Sequence, residues 1–133
     1  MPSIFSKIIA GEIPAYKLAE TANFLAFLDI SPVEKGHALV IPKKEVDYIF
    51  DLEDEELAQL HLFAKKVALA MEKVVPCKRI GMAVVGLEVP HVHIHLIPLQ
   101  DLGSINFTKE RVQLSQEEFA NLAQKIQLAL AEH

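Results

Sequence analysis

The sequence predicts an α+β domain: an antiparallel sheet of about five strands, a long central helix and a C-terminal helix. Two observations predict it. Five short strand-like segments, residues 16–19, 23–28, 37–41, 80–85 and 92–98, are punctuated by Asn23, Pro32, Gly36, Gly86 and Pro90. They come as three, then a helical stripe, then two more, then a second stripe, whereas parallel βαβ units would alternate strand with helix.

The elements follow in order. A short helical turn over residues 4–10 precedes Gly11. The run Gly36-His37-Ala38-Leu39-Val40-Ile41-Pro42 is apolar nearly throughout, as a central strand is. Acidic residues crowd positions 51–56, where they favour the first turn of a helix. Leu57, Leu60, Phe63, Ala64, Val67, Ala68, Met71 and Val74 then recur at steps of three and four until Pro76 ends the run. Ser115-Gln116-Glu117-Glu118 is a capping-box pattern, and Phe119, Leu122, Ala123, Ile126 and Leu130 form the stripe of a helix over about 115–131. These stripes read as core, and no ligand site follows from their spacing.

Length and composition set the bounds. A chain of 133 residues suits a single domain, residues 1–133, and 51% hydrophobic residues suit a folded one. A mean hydropathy of +0.25 is high for so small a monomer, so a partner subunit is expected to cover part of its apolar surface. A net charge of −5 argues against nonspecific binding to nucleic acid or to anionic membranes. The one cysteine, Cys77, excludes an internal disulfide and cysteine-based zinc modules. No apolar run approaches a membrane span, and the opening residues lack the pattern of a signal peptide, so a cytoplasmic location is expected. There is no internal repeat or low-complexity tract.

Chemistry concentrates in His91-Val92-His93-Ile94-His95-Leu96-Ile97-Pro98. Three of six histidines lie here at steps of two. On an extended segment all three imidazoles project to one face, with Val92, Ile94 and Leu96 on the other. A row of imidazoles adds little to stability, so packing alone does not explain it. Two chemistries fit. Neutral imidazoles can converge on zinc, with carboxylates such as Asp29 or Asp101 completing the sphere. Alternatively one imidazole is a nucleophile towards phosphorus while a neighbouring imidazolium stabilises charge and protonates the departing group. His61 and His133 belong to no motif.

The segment resembles the signature of the histidine triad (HIT) family, in which histidines alternate with apolar residues. Three further blocks resemble the family in the same order: Ile4-Phe5-Ser6-Lys7-Ile8-Ile9 with Glu12-Ile13-Pro14, then Ala26-Phe27-Leu28-Asp29-Ile30-Ser31-Pro32, then Gly36-His37-Ala38-Leu39-Val40-Ile41-Pro42-Lys43. Together they extend over about residues 4–98, and the resemblance favours the nucleophile reading. It implies a homodimer whose sheets join across the two-fold, and a nucleotide hydrolase or transferase acting on an α-phosphate without a metal or other cofactor. It implies His93 as nucleophile, His95 and His37 as contacts to the phosphate or leaving group, and His91 as a more buried supporting residue. Asp29 would accept the ribose hydroxyls. Ile4, Phe5, Ile8, Phe27, Leu28 and Ile30 would line the base pocket, with Phe5 and Phe27 best suited to stacking; each also reads as plain core.

Three positions depart from the family pattern. Counted back from His91, Ile80 stands where an amide is common, and Leu87 follows the loop glycine where a glutamine is common. Glu88 brings a carboxylate towards the phosphate. The resemblance implies a purine nucleotide or nucleotide conjugate as partner and a phosphoramidate or dinucleoside polyphosphate hydrolase as activity, while these departures imply slower turnover or another leaving-group preference. The alternatives are a nucleotide-binding protein with negligible turnover and a histidine-ligated zinc hydrolase.

Overall fold

The computed structural model describes residues 2–132, so Met1 and the motif-free His133 lie outside it. Its elements are α1 (Ile4–Ile9), β1 (Lys17–Glu20), β2 (Phe24–Leu28), β3 (Ala38–Pro42), α2 (Asp54–Val74), β4 (Arg79–Ala83), β5 (Ile94–Leu99) and α3 (Gln116–Ala131). The five strands form one sheet in the order β1-β2-β3-β5-β4, every neighbour antiparallel. The expected α+β architecture is present, with strand bounds shifted by one or two residues.

Period-two patterning sorts the sheet's faces. On one face Ala26, Leu28, Val40, Ile94 and Leu96 pack against α2 and α3 through Leu60, Phe63, Val67, Met71, Phe119, Leu122 and Ile126. On the other, Leu25, Phe27, Leu39 and Ile41 pack against Phe5 and Ile8 of α1. α2 begins on Asp54, Glu55 and Glu56 as its charge run predicts, and both reciprocal bonds of the Ser115–Glu118 capping box are made at α3.

The histidine segment differs from a plain strand. β5 begins only at Ile94, so His91 and His93 precede the ladder. Proline is the cause: Pro42 at the end of β3 has no N–H to give, and its carbonyl goes to His91 Nε2 at 2.8 Å. The Val92 N–H turns instead to the Val46 carbonyl at 2.7 Å. The alternation survives, with Val92, Ile94 and Leu96 in the helix-side core. His95 pairs with Leu39 and so stands on the α1 face.

Gly36 fixes the entry to β3. Its φ is +97°, and a Cβ there would lie 3.0 Å from Val75 Cγ2 and 3.2 Å from Pro98 Cγ. Only glycine fits both the left-handed backbone and the space, and His37 follows directly.

Candidate active site

His37, His91, His93 and His95 are all buried, none more than 8% exposed. Buried imidazoles need partners, and the partners set each tautomer. His91 donates Nε2–H to the Pro42 carbonyl, so its Nδ1 accepts, and the Ser3 hydroxyl donates to it at 2.7 Å. His93 donates Nδ1–H to the His91 carbonyl at 2.7 Å, which leaves the Nε2 lone pair free in the neutral ring. The Val33 N–H donates to His37 Nδ1 at 3.1 Å, so His37 carries its proton on Nε2. That Nε2–H donates to His95 Nδ1 at 2.9 Å, which leaves His95 with an outward Nε2–H. The result is one ring presenting a lone pair beside one presenting a donor, their centroids 4.9 Å apart.

Burial pushes the pKa of His37 and of His95 down to about 3, with the Arg111 guanidinium adding to it at both and Asp29 opposing it at His95. Burial also lowers that of His91, against the opposing pull of its bond to Pro42. The imidazolium expected in the cluster is not found at His37, His91 or His95, whose lowered pKa values leave these three rings neutral at pH 7 in the free protein. The cause is desolvation together with a hydrogen-bond chain that has no place for an extra proton.

Asp29 stands beside the cluster, Oδ2 lying 3.6 Å from His37 Nε2, while its Oδ1 accepts the Ser31 N–H. Asp29, His37 and His95 place ligand atoms within 4.8 Å of one another. They fit a metal poorly. With Val33 donating to Nδ1, the metal-facing His37 Nε2 holds a proton, and freeing it sacrifices the Val33 bond or makes an anionic ring. Asp101 instead caps the Leu102–Ser104 turn.

Two cavities flank the rings. One, of about 120 Å³, is lined by Ile4, Phe5, Ile8, Phe27, Leu28, Asp29 and Ile30, together with Ile13, Pro14, Ala15 and Leu39. All six apolar residues of the expected base pocket thus meet Asp29. Phe5 and Phe27 are 7% and 3% exposed and stack edge-on with each other, so Ile4 and Ile30, at 50% and 72%, are its open walls. The other cavity, of about 230 Å³, is lined by Asp29, His93 and His95, by residues 85–88, and by Phe107, Thr108 and Arg111. The two share Asp29, and Phe5 packs edge-on against His93 at 5.0 Å. A larger cleft of about 650 Å³ runs from His93 past His61, Tyr48 and Phe50.

Of the three departures, Leu87 and Glu88 are exposed on this rim, beside His93. Ile80 is not at the site. It packs into the helix-side core from β4, because its register partner Pro98 alternates away from the histidine face. The number of residues back from His91 does not tell which face of the strand a position takes.

Several contributors carried no signal in local spacing. Ser3 and Ser6 share Glu45: the Ser3 N–H and the Ser6 hydroxyl each donate to Glu45 Oε1 at 2.6 Å. The Phe107 ring lies 4.7 Å from that of His95, so the segment before α3 covers the cluster. Ser3-x-x-Ser6 reads locally as a helix cap, and nothing near Phe107 or Arg111 marks them.

A family model described as HIT domain matches residues 10–102. An adenosine 5'-monophosphoramidase of Schizosaccharomyces pombe is 47% identical over 100 residues, 74% of each chain. One of Saccharomyces cerevisiae is 44% identical over 99 residues, 74% of this chain and 63% of that protein. Among solved structures, a Hit-like protein of Bartonella henselae superposes with a TM-score of 0.83 at 30% identity, covering 96% of this chain and 95% of that one. A zinc-bound histidine triad family protein of Mycobacterium smegmatis reaches the same TM-score at 27% identity, covering 97% and 93%.

Proposed function

This chain belongs to the HIT domain family, and from that premise we propose that it is a hydrolase attacking the α-phosphorus of a purine nucleoside phosphoramidate or a related nucleotide, dinucleoside polyphosphates included, through a nucleotidyl-histidine on His93. One observation carries the reading: His93 Nδ1–H is spent on the His91 carbonyl, so Nε2 offers a lone pair beside an outward His95 Nε2–H.

The base enters the cleft between Ile4 and Ile30, and Asp29 accepts the ribose hydroxyls. His93 Nε2 forms a bond to phosphorus while the bond to the leaving group breaks, and a leaving amine takes its proton from solvent. His95 Nε2–H, held by the chain from Val33 through His37, hydrogen-bonds the phosphate oxygens or leaving atom as charge moves onto them. Water then attacks phosphorus, the P–Nε2 bond breaks, a proton returns to solvent, and the monophosphate leaves.

A second reading has specific support. Leu87 and Glu88 replace polar donors with an apolar chain and a carboxylate on the site's rim, which fits a nucleotide binder of negligible turnover. Turnover assays with adenosine 5'-phosphoramidate separate the two: release of the monophosphate supports the hydrolase, and tight monophosphate binding without hydrolysis supports the binder.

We further infer a homodimer. β4 is an edge strand, and Met82, Val84, Val85 and Leu87 along and beyond it are exposed apolar residues. Pairing two such edges continues the sheet and removes that surface from water.

A further inference from the structure

We propose that Arg111 selects the leaving group: it is the cation of a subsite for leaving groups that carry an anionic oxygen group, a phosphate or a carboxylate. This rests on the reading of His93 as nucleophile and names what departs from it.

The cavity of about 230 Å³ begins at His93 and His95 and extends to Phe107, Thr108 and Arg111, the counterpart of the apolar cleft that meets it at Asp29. With the base side assigned to Ile4 and Ile30, this cavity receives what lies beyond the scissile bond. Arg111 is the lysine or arginine among its lining residues. Its Nη1 donates to the Ser31 carbonyl at 2.8 Å and its Nη2 to the Phe107 carbonyl at 3.0 Å. These bonds use two of the guanidinium's five donors and fix its position without neutralising its charge. Among the described residues Arg111 makes no ion pair, whereas neighbouring Lys109 is paired with Glu34.

The supporting segment is tied to the reacting rings. The Phe107 ring lies against those of His95 and His37, and the Val112 N–H donates to the Pro32 carbonyl at 2.8 Å. The histidine hydrogen-bond chain ends on neutral rings, so fixed positive charge at this end of the site comes from Arg111. Glu88 lines the same cavity, so the anionic group is placed at Arg111 and away from that carboxylate.

The test compares kcat/KM for adenosine 5'-phosphoramidate, its β-alanine N-conjugate and diadenosine tetraphosphate, in the unaltered protein and in Arg111→Gln and Arg111→Lys. The proposal expects Arg111→Gln to lower kcat/KM for at least one anionic substrate about tenfold more than for the unsubstituted one, and Arg111→Lys to restore part of the difference. The conjugate and the tetraphosphate tell carboxylate from phosphate. In the unaltered protein, added salt should lower the anionic-to-unsubstituted ratio, a readout independent of whether the variants fold. Equal losses on all three substrates, or none, with a salt-insensitive ratio, overturn the proposal while His93 chemistry stands. No turnover of any substrate by the unaltered protein overturns the hydrolase reading and this inference with it.

Discussion

Ser3 illustrates how a side chain can orient the proposed nucleophile, His93, through an intervening ring. Its hydroxyl satisfies His91 Nδ1, and the His91 carbonyl in turn holds the Nδ1–H of His93. Ser3→Ala leaves a fully buried acceptor without a partner, which costs about 1–3 kcal/mol. The urea midpoint should fall accordingly and kcat with it, while Ser3→Thr retains most of both. A midpoint unmoved by Ser3→Ala would show that the His91 contact contributes nothing. The histidine row was legible in the sequence because alternation is a local signal. Its tautomers were not, since they depend on bonds such as Ser3–His91 and His37–His95, separated by 88 and 58 positions.

At the scale of elements, the seam between β3 and β5 stores the pH dependence. His37 enters β3, His95 lies on β5, and both have pKa values near 3 against about 6.5 when unfolded. Between these values the unfolded chain binds protons that the folded protein refuses. Their contribution is therefore fully present above about pH 6.5 and is lost as pH falls towards 3, at up to about 1.4 kcal/mol per pH unit for each ring. Urea unfolding at pH 7 and pH 5 should give a lower midpoint at pH 5, and His37→Asn should flatten the difference. An equal midpoint at both would contradict the neutral-ring assignment. Helix bounds and strand order were readable from patterning and caps, because amphipathic faces declare themselves locally. The delayed start of β5 was hidden, since Pro42 had to be opposite Val92 before its missing N–H mattered. The placement of Phe107 against the rings and of Arg111 beside it was hidden for the same reason, being set by docking onto Ser31 and Pro32.

At the scale of the whole molecule, apolar side chains stand exposed along and beyond the β4 edge, Met82 at 47% and Leu87 at 87%. Light scattering at micromolar concentration should find twice 14.8 kDa, and Met82→Lys should shift it towards the single-chain mass. A particle of 14.8 kDa for the unaltered chain would rule out the dimer. The bond proposed between His93 and phosphorus is tested by intact-mass analysis of a turnover reaction stopped in acid-free denaturant. The expected result is a nucleotidyl adduct that maps to His93 and disappears, along with turnover, in His93→Ala. Robust turnover by His93→Ala, or an adduct on another residue, would contradict it.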